Sequence, residues 1–195
     1  MQKIRDHYFE KAKQEKYFAR SIYKLEEIDK KYRLFKKGVK VLDIGCSPGS
    51  WSQYMLKKVG TGSIVGIDIS NSVRIHDNRF TFIQGNIFDF DPEFLKKQFG
   101  SFDIITSDAA PKTTGNKFSD AVQSLDIVSR VFSIAEIILP PGGTAIAKVF
   151  QGEDLKPFIE EIKNNYKRVS LFKPKSSRKE SREIFIIAHN RRKAQ

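Results

Sequence analysis

The stretch Val41–Trp51, VLDIGCSPGSW, predicts how the chain around it folds. Its first four residues form a short, mainly apolar and branched run of the kind found in buried strands. Gly45 ends this run, and Ser47–Ser50 form a small-residue turn before a helical pattern that begins at Trp51. Such a turn lets a ligand approach the backbone closely and directs helix N–H groups towards it. The pattern is typical of a ligand-binding unit, although an ordinary strand-to-helix turn shares it.

Strand and helix patterns alternate along the rest of the chain. Strands are predicted at 39–45, 63–68, 80–84, 102–107, 144–150, 167–172 and 183–188. Helices are predicted at 3–19, 22–32, 51–59, 92–98, 118–138 and 154–165, the long one burying an apolar stripe that begins at Phe118. Because strands separated by helices form right-handed crossovers, the fold class is α/β with a mostly parallel sheet. The last two strands lack an intervening helix, so we expect one of them to run antiparallel.

The composition excludes several classes of protein. No apolar run approaches the roughly 20 residues needed to span a bilayer. Cys46 is the only cysteine, which excludes an internal disulfide framework and fits a reducing compartment. We expect Cys46 to be a small buried residue rather than a nucleophile, and the protein to be cytoplasmic and not bound to a membrane.

The net charge of +12 is concentrated at the two ends of the chain. Residues 1–40 carry a balance of +7 and residues 167–195 a balance of +8, whereas residues 41–166 carry −3. Two basic ends flanking a near-neutral centre suit a polyanion-binding surface if both ends fold onto one face. A lysine-rich solvated surface gives the same totals, so charge alone only favours nucleic acid.

Polar residues follow several of the predicted strands. Asp68, Asn86 and Asp108 lie at or just after strand ends, where ligands of parallel sheets bind. An acid that ends the second strand is placed to accept hydrogen bonds from a ribose diol. The turn does not match the glycine pattern of NAD-binding proteins, and Pro48 lacks an N–H that a pyrophosphate would use. A nucleoside cofactor without phosphates fits better.

Five segments, in order, resemble the FtsJ family of S-adenosylmethionine-dependent RNA 2′-O-ribose methyltransferases. They are RSIYKL at 20–25, LDIGCSPGSWSQ at 42–53, SDAAP at 107–111 with the later Gly115, GG with AKVFQG at 142–152, and KPKSSRKESRE at 173–183. The resemblance implies a Rossmann-like class I methyltransferase sheet of seven strands, the last antiparallel, with helices on both faces. It also implies one methyltransferase domain over 1–195, in which a basic helical region, 1–37, packs on a core at 38–190.

The same resemblance assigns a catalytic set of four residues: Lys24, Asp108, Lys148 and Glu183. Lys148 is unusual without any family comparison, because it interrupts an otherwise apolar strand where an unpaired lysine is costly. The family's chemistry makes Lys148 the acceptor of the proton of the 2′-hydroxyl. A lysine cation that orients and polarises the hydroxyl is the alternative, and the sequence does not decide between them.

The resemblance further implies S-adenosylmethionine as cofactor and no metal. The expected cofactor contacts are Gly45, Ser47, Pro48, Gly49, Trp51, Asp68, Asn86, Ile87 and Asp108. Three positions depart from the family pattern. Ser50 replaces a usual glycine, Asn86 replaces the usual aspartate and is expected to weaken binding modestly, and Lys112 replaces an asparagine.

RNA is the expected partner of a monomeric protein. The candidate contacts are Arg20, Lys173, Lys175, Arg178, Lys179 and Arg182, whose charges suit phosphate oxygens. The favoured substrate is a uridine of large-subunit ribosomal RNA. A tRNA or cap 2′-O-methyltransferase is the alternative, and a catalytically silent RNA-binding or assembly factor is disfavoured because all four catalytic positions are filled.

Overall fold

A seven-stranded sheet forms the centre of the protein, for which a computed structural model describes residues 7–193. The strands are β1 Val41–Ile44, β2 Ile64–Asp68, β3 Phe80–Gln84, β4 Ile104–Ser107, β5 Thr144–Phe150, β6 Tyr166–Phe172 and β7 Glu183–Arg191. Their order is β3-β2-β1-β4-β5-β7-β6. The five neighbouring strands β3, β2, β1, β4 and β5 run parallel, whereas β7 is antiparallel to both β5 and β6. The expected mostly parallel sheet with an antiparallel last strand is confirmed.

Within residues 7–193 there are six α-helices, of which two precede β1 and four connect strands. They are α1 His7–Gln14, α2 Ile22–Tyr32, α3 Ser50–Val59, α4 Pro92–Phe99, α5 Lys117–Ile138 and α6 Leu155–Lys163, and a 3₁₀ helix spans Ile87–Asp89. The prediction of a helix over 3–19 was wrong at its C-terminal end. Lys16 has a φ of 58°, and the N–H of Tyr17 donates to the carbonyl of Ala12, so the chain leaves the helix there. Residues 3–6 of that prediction lie outside the described residues.

The helices cover both faces of the sheet. Helices α4, α5 and α6 pack against one face, which includes Ala145, Ala147 and Val149 of β5. Helices α1, α2 and α3 pack against the other, which includes Ile146 and Phe185. Because side chains alternate along a strand, Lys148 points to the face that α2 covers. This alternation is what brings a lysine of β5 towards a lysine of α2.

Helix α5 buries the C-terminal part of its predicted stripe, whereas Val122 and Leu125 are partly buried and Phe118 is exposed. Val128, Phe132, Ala135 and Ile138 are buried, but Phe118 in the first turn is 66% exposed. The prediction that Phe118 faces the core was therefore wrong. Its ring instead lines a surface cavity with Phe150, at the end of β5, and Leu155, at the start of α6. Among the described residues, no helix is long and apolar enough to cross a membrane.

Candidate active site

Two ion pairs unite the four residues proposed as a catalytic set. The Nζ of Lys148 lies 2.9 Å from Oδ1 of Asp108 and donates to the carbonyl oxygen of the same residue at 2.5 Å. The Nζ of Lys24 lies 2.7 and 2.8 Å from the two carboxylate oxygens of Glu183. These residues come from β5, the end of β4, α2 and the start of β7, and so converge from four separate segments.

Both pairs are largely removed from water. Lys148 and Glu183 are each only 8% exposed. Burial by itself raises the pKa of Glu183, but the charge and hydrogen bond of Lys24, a hydrogen bond from Ser177 and the charge of Lys148 hold it below its ordinary value. The two pairs therefore influence each other electrostatically. Removing one member would leave an uncompensated charge, a change that is strongly destabilising in buried pairs.

A cavity of about 300 Å³ opens at the carboxyl ends of β1, β2 and β4. Its lining is Ile44, Gly45, Ser47, Ile67, Asp68, Ile69, Gly85, Asn86, Ile87, Phe88, Asp108, Ala109, Ala110 and Ile127. The cavity is lined by two carboxylates, from Asp68 and Asp108, and no described lysine, arginine or histidine contributes to it. Such a lining suits a neutral or cationic ligand with an apolar body and disfavours a phosphate.

Two residues at the rim of the cavity have defined hydrogen bonds. Asp68 accepts from the backbone N–H of Ser47 at 2.9 Å and from that of Ser70 at 2.8 Å, one on each carboxylate oxygen. Each oxygen keeps acceptor capacity for a further donor. The side-chain oxygen of Asn86 accepts from the N–H of Phe88 at 3.2 Å and so caps the 3₁₀ helix. This amide oxygen is partly committed to the fold before any ligand binds.

Three of the expected cofactor contacts do not line this cavity: Pro48, Gly49 and Trp51. Trp51 is only 2% exposed, its Nε1 donates to the carbonyl of Ser21 at 2.9 Å, and its ring packs 5.7 Å from that of Phe185. The structure therefore places Trp51 as a support between α2 and the sheet. The helical turn that begins there carries its side chain inward, away from the turn.

The basic segment at 173–182 folds back against the N-terminal helices. The carboxylate of Glu27 accepts from the backbone N–H of Lys175 at 2.6 Å and from that of Ser176 at 2.8 Å. Arg20 donates to the carbonyl of Ser176. The basic residues near Arg20 and Lys175 thus meet on one face, whereas Arg191 and Arg192 lie elsewhere, beside Glu136 and Asn165.

A second cavity, of about 500 Å³, lies between this segment and α2. We call it the basic pocket; its lining is Arg20, Ser21, Lys24, Arg178, Glu180, Ser181 and Glu183. It therefore reaches the Lys24–Glu183 pair directly. Burial, and then the nearby charge of Arg178, lower the pKa of Arg20. Two guanidinium groups close enough to repel each other would both gain from an anion placed between them.

The other candidate RNA contacts have mixed positions. The Nζ of Lys173 donates to the carbonyl of Ser181 at 3.0 Å, and Lys179 is exposed. Arg182 donates to the carbonyls of Lys117, at 2.9 Å, and Gln151. Arg182 is thus an anchor between the starts of α5 and β7, which its sequence context did not indicate.

The comparisons with known proteins agree with this geometry. Residues 17–191 match the FtsJ-like methyltransferase family. The chain belongs to this family. It is 45% identical over 194 residues to a ribosomal RNA large subunit methyltransferase E from Brachyspira hyodysenteriae, covering 99% of each chain. It is 42% identical over 190 residues to the protein of the same name from Nitratidesulfovibrio vulgaris, covering 96% of this chain and 93% of that protein.

Solved structures place the fold in the same group. A ribosomal RNA methyltransferase from Plasmodium falciparum superimposes with a TM-score of 0.79 and 34% identity, over 90% of this chain and 98% of that one. Human methyltransferase-like protein 13, solved in complex with SAH, superimposes with a TM-score of 0.61 at 13% identity, over 80% and 74% of the chains, and shows the shared fold. The α/β class I methyltransferase fold is thereby confirmed.

One buried acid of this FtsJ-like methyltransferase was missed by the sequence reasoning. Asp43, in the middle of β1, is 1% exposed and accepts from the hydroxyls of Ser52 at 2.6 Å and Thr106 at 2.9 Å. Burial, with smaller contributions from the charges of Asp108 and Asp68, raises its pKa to about 7, against the lowering effect of the two hydroxyls. The signal was present in the sequence as a lone acid within an apolar strand, the same anomaly that identified Lys148.

The turn of the family motif depends on Gly45. Its φ is +73°, and a Cβ built there would lie 2.7 Å from the Cβ and 2.8 Å from the backbone N of Ala109. Cys46, next to it, is buried as expected, and burial raises the pKa of its thiol.

Among the described residues, no three His, Cys, Asp or Glu side chains are placed to hold a metal ion.

Proposed function

We propose that this methyltransferase transfers the methyl group of S-adenosylmethionine to a ribose 2′-hydroxyl of large-subunit ribosomal RNA, at a uridine. The observation that carries the proposal is the position of Asp108. It lines the acidic cavity, whose residues disfavour a phosphate, and it also binds Lys148. One residue therefore joins the candidate cofactor site to the candidate catalytic pairs. The relatives named ribosomal RNA large subunit methyltransferase E support the choice of RNA.

The residues of the cavity fit S-adenosylmethionine in chemical type. The carboxylate of Asp68 would accept the ribose hydroxyls, and Asn86 would face the adenine between the exposed side chains of Ile69 and Phe88. Asp108 would lie against the sulfonium and stabilise its positive charge. Bound there, the cofactor supplies an electrophilic methyl group; the protein's own residues have to orient the hydroxyl and take its proton.

Lys148 is placed to perform the second task. Two directions around its Nζ are occupied by the oxygens of Asp108, which leaves one further direction for a substrate hydroxyl. A neutral amine would accept the proton there, whereas an ammonium would donate a hydrogen bond and polarise the hydroxyl. The Lys24–Glu183 pair, at the wall of the basic pocket, would position the ribose while Arg20 and Arg178 bind its phosphates.

The direct test is methyl transfer from labelled S-adenosylmethionine to large ribosomal subunits that lack the modification, with unmodified tRNA assayed in parallel. We expect label in the ribosomal RNA, resistance of the modified nucleotide's 3′ linkage to alkali, and loss of activity in Lys148→Met. Label in tRNA alone would move the substrate assignment to the tRNA branch. Label in neither RNA would contradict the proposal.

Lys148→Arg separates the two roles of the lysine. Arginine keeps the positive charge but does not lose its proton in proteins, so it preserves polarisation and abolishes base catalysis. If Lys148 is the base, we expect the single-turnover rate of the wild type to rise with pH and that of Lys148→Arg to be lower by about 100-fold or more. If Lys148→Arg remains active and its single-turnover rate does not rise with pH, Lys148 acts as a cation.

A further inference from the structure

A third cavity, of about 260 Å³, lies between the first turns of α5 and α6 and has no role in the proposed reaction so far. We call it the Phe118 pocket. Its apolar lining is Phe118, Ala121, Val122, Leu125, Phe150 and Leu155, and its polar rim is Lys117, Gly152, Glu153, Asp154 and Arg182. The volume is smaller than that of a drug-sized site and suits one flat ring.

The aromatic side of this pocket is held in a fixed turn. Asn116 caps α5, its side-chain oxygen accepting from the N–H of Phe118 at 3.0 Å and from that of Ser119 at 3.1 Å. Arg182 donates to the carbonyl of Lys117 at 2.9 Å and also to that of Gln151, which ties this turn to the end of β5. Phe118 is 66% exposed even though its backbone is restrained. The result is an aromatic ring presented to solvent from a rigid base.

The pocket is adjacent to the catalytic pairs. Arg182 lines the Phe118 pocket, and the next residue, Glu183, lines the basic pocket and binds Lys24. Phe150 pairs with Glu183 in the β5–β7 register and follows Lys148 by two residues. Consecutive Cα atoms are only 3.8 Å apart, so the two pockets lie on either side of one short stretch of backbone. We therefore expect the Phe118 pocket to lie within reach of a nucleotide that neighbours the ribose at Lys148.

We propose that the Phe118 pocket binds an unpaired nucleobase of the substrate RNA, next to the methylated ribose, stacked on the ring of Phe118. This inference rests on the proposed function. The carboxylates of Glu153 and Asp154 on the rim disfavour a phosphate but accept hydrogen bonds from amino and imino groups of a base. The charges of Lys117 and Arg182 are placed to meet the phosphates that flank it. Stacking needs a free face of the base, so the neighbouring nucleotide has to be unpaired or turned out of a helix.

The test compares Phe118→Ala with a matched control, Phe94→Ala. Phe94 is 55% exposed on α4 and lines neither the Phe118 pocket nor the basic pocket. Losing one stacked base, at about 1–3 kcal/mol, corresponds to about 5- to 150-fold in affinity. We expect Phe118→Ala to raise the KM for large ribosomal subunits by this factor, with an unchanged Kd for S-adenosylmethionine. Phe94→Ala should alter neither value more than about twofold.

Two further variants identify the occupant of the pocket. Phe118→Trp and Phe118→Leu both remain apolar, but only tryptophan offers a face for stacking. We expect tryptophan to keep the wild-type KM and leucine to behave like alanine. Full activity of Phe118→Leu would point to an apolar protein side chain in the pocket and overturn the inference. If the wild type methylates RNA and Phe118→Ala has the same KM as Phe94→Ala, the inference is also overturned. If the wild type itself does not methylate RNA, the proposed function is refuted instead.

Discussion

Replacing Asp43 with asparagine is expected to remove a pH-dependent loss of stability. Asp43 has an ordinary pKa of 3.8 when unfolded and about 7 in the fold, so between these values the folded protein binds more protons than the unfolded chain. Stability then falls as pH rises through this window, because the folded state has to ionise a buried acid. The penalty is absent below the unfolded pKa and complete above pH 7.

The size of the effect follows from the two pKa values. A raised pKa of this extent corresponds to about 4 kcal/mol at pH 8, of which about 2.5 kcal/mol develops between pH 5 and pH 8. Asparagine has the same shape, and its amide finds acceptors or donors in the hydroxyls of Ser52 and Thr106, both of which are able to rotate. The substitution therefore removes the ionisation without opening a cavity.

Urea unfolding of wild type and Asp43→Asn, at intervals from pH 5 to pH 8, measures this difference. Burial and the charge of Arg168 lower the pKa of His189. Its contribution to the free energy of unfolding therefore increases with pH up to its unfolded pKa, which opposes the effect of Asp43. The difference between the two proteins cancels His189 because both contain it. Asp126→Asn, an exposed change on α5, corrects for the loss of one negative charge.

The difference curve decides the matter. We expect the stability of Asp43→Asn relative to wild type to increase by about 2.5 kcal/mol from pH 5 to pH 8, and Asp126→Asn to show no comparable slope. A flat difference curve for Asp43→Asn would show that Asp43 is ionised throughout this range and that the argument from burial is wrong. A native state that stabilised its carboxylate would also give a flat curve in this range, because the pH dependence would then fall below about pH 4.

Two further substitutions test the supports of the site. Gly45→Ala forces a side chain into a φ of +73° and places its Cβ 2.8 Å from backbone atoms of the neighbouring loop, so calorimetry should show a loss of about 2–4 kcal/mol with weaker S-adenosylmethionine binding. An unchanged affinity for S-adenosylmethionine would show that this turn does not form part of the cofactor site. Glu27→Ala leaves the N–H groups of Lys175 and Ser176 without their acceptor, so amide exchange at 173–182 should accelerate and the KM for RNA should rise. Glu26→Ala, which breaks only a surface pair with a lysine one turn away on α2, is the control and should change neither.

Much of the fold could be predicted because local pattern determined it. Strands β3 and β5 begin and end where the apolar runs do, and Gly142 and Gly143 mark the turn before β5. Lys148 was identifiable from physical chemistry, since a lysine in an apolar strand needs a partner. Its partner Asp108 lies 40 residues away in the chain, so only the family resemblance connected the two.

The errors at Trp51 and Phe118 share one cause: the period of apolar residues does not reveal what lies opposite a side chain. Trp51 and Phe118 are both aromatic residues beside helix starts, yet one is 2% exposed and the other 66%. Trp51 turns inward because Ser21 and Phe185 lie in reach of its ring. Phe118 lines an open pocket between the starts of α5 and α6. Both neighbourhoods are set by contacts distant in sequence, which the alternation of apolar residues does not encode.

In the proposed function, Asp108 connects two binding sites whose linings differ in charge. The cavity that Asp108 lines has carboxylates and no described basic group. In the basic pocket, the cations of Arg20, Lys24 and Arg178 outnumber the carboxylates of Glu180 and Glu183. A phosphate is disfavoured in the first site and attracted to the second, whereas a sulfonium is favoured only in the first. A cationic methyl donor and a polyanionic acceptor are therefore sorted by sign before any specific contact forms, and Asp108 with Lys148 lies where the two have to meet.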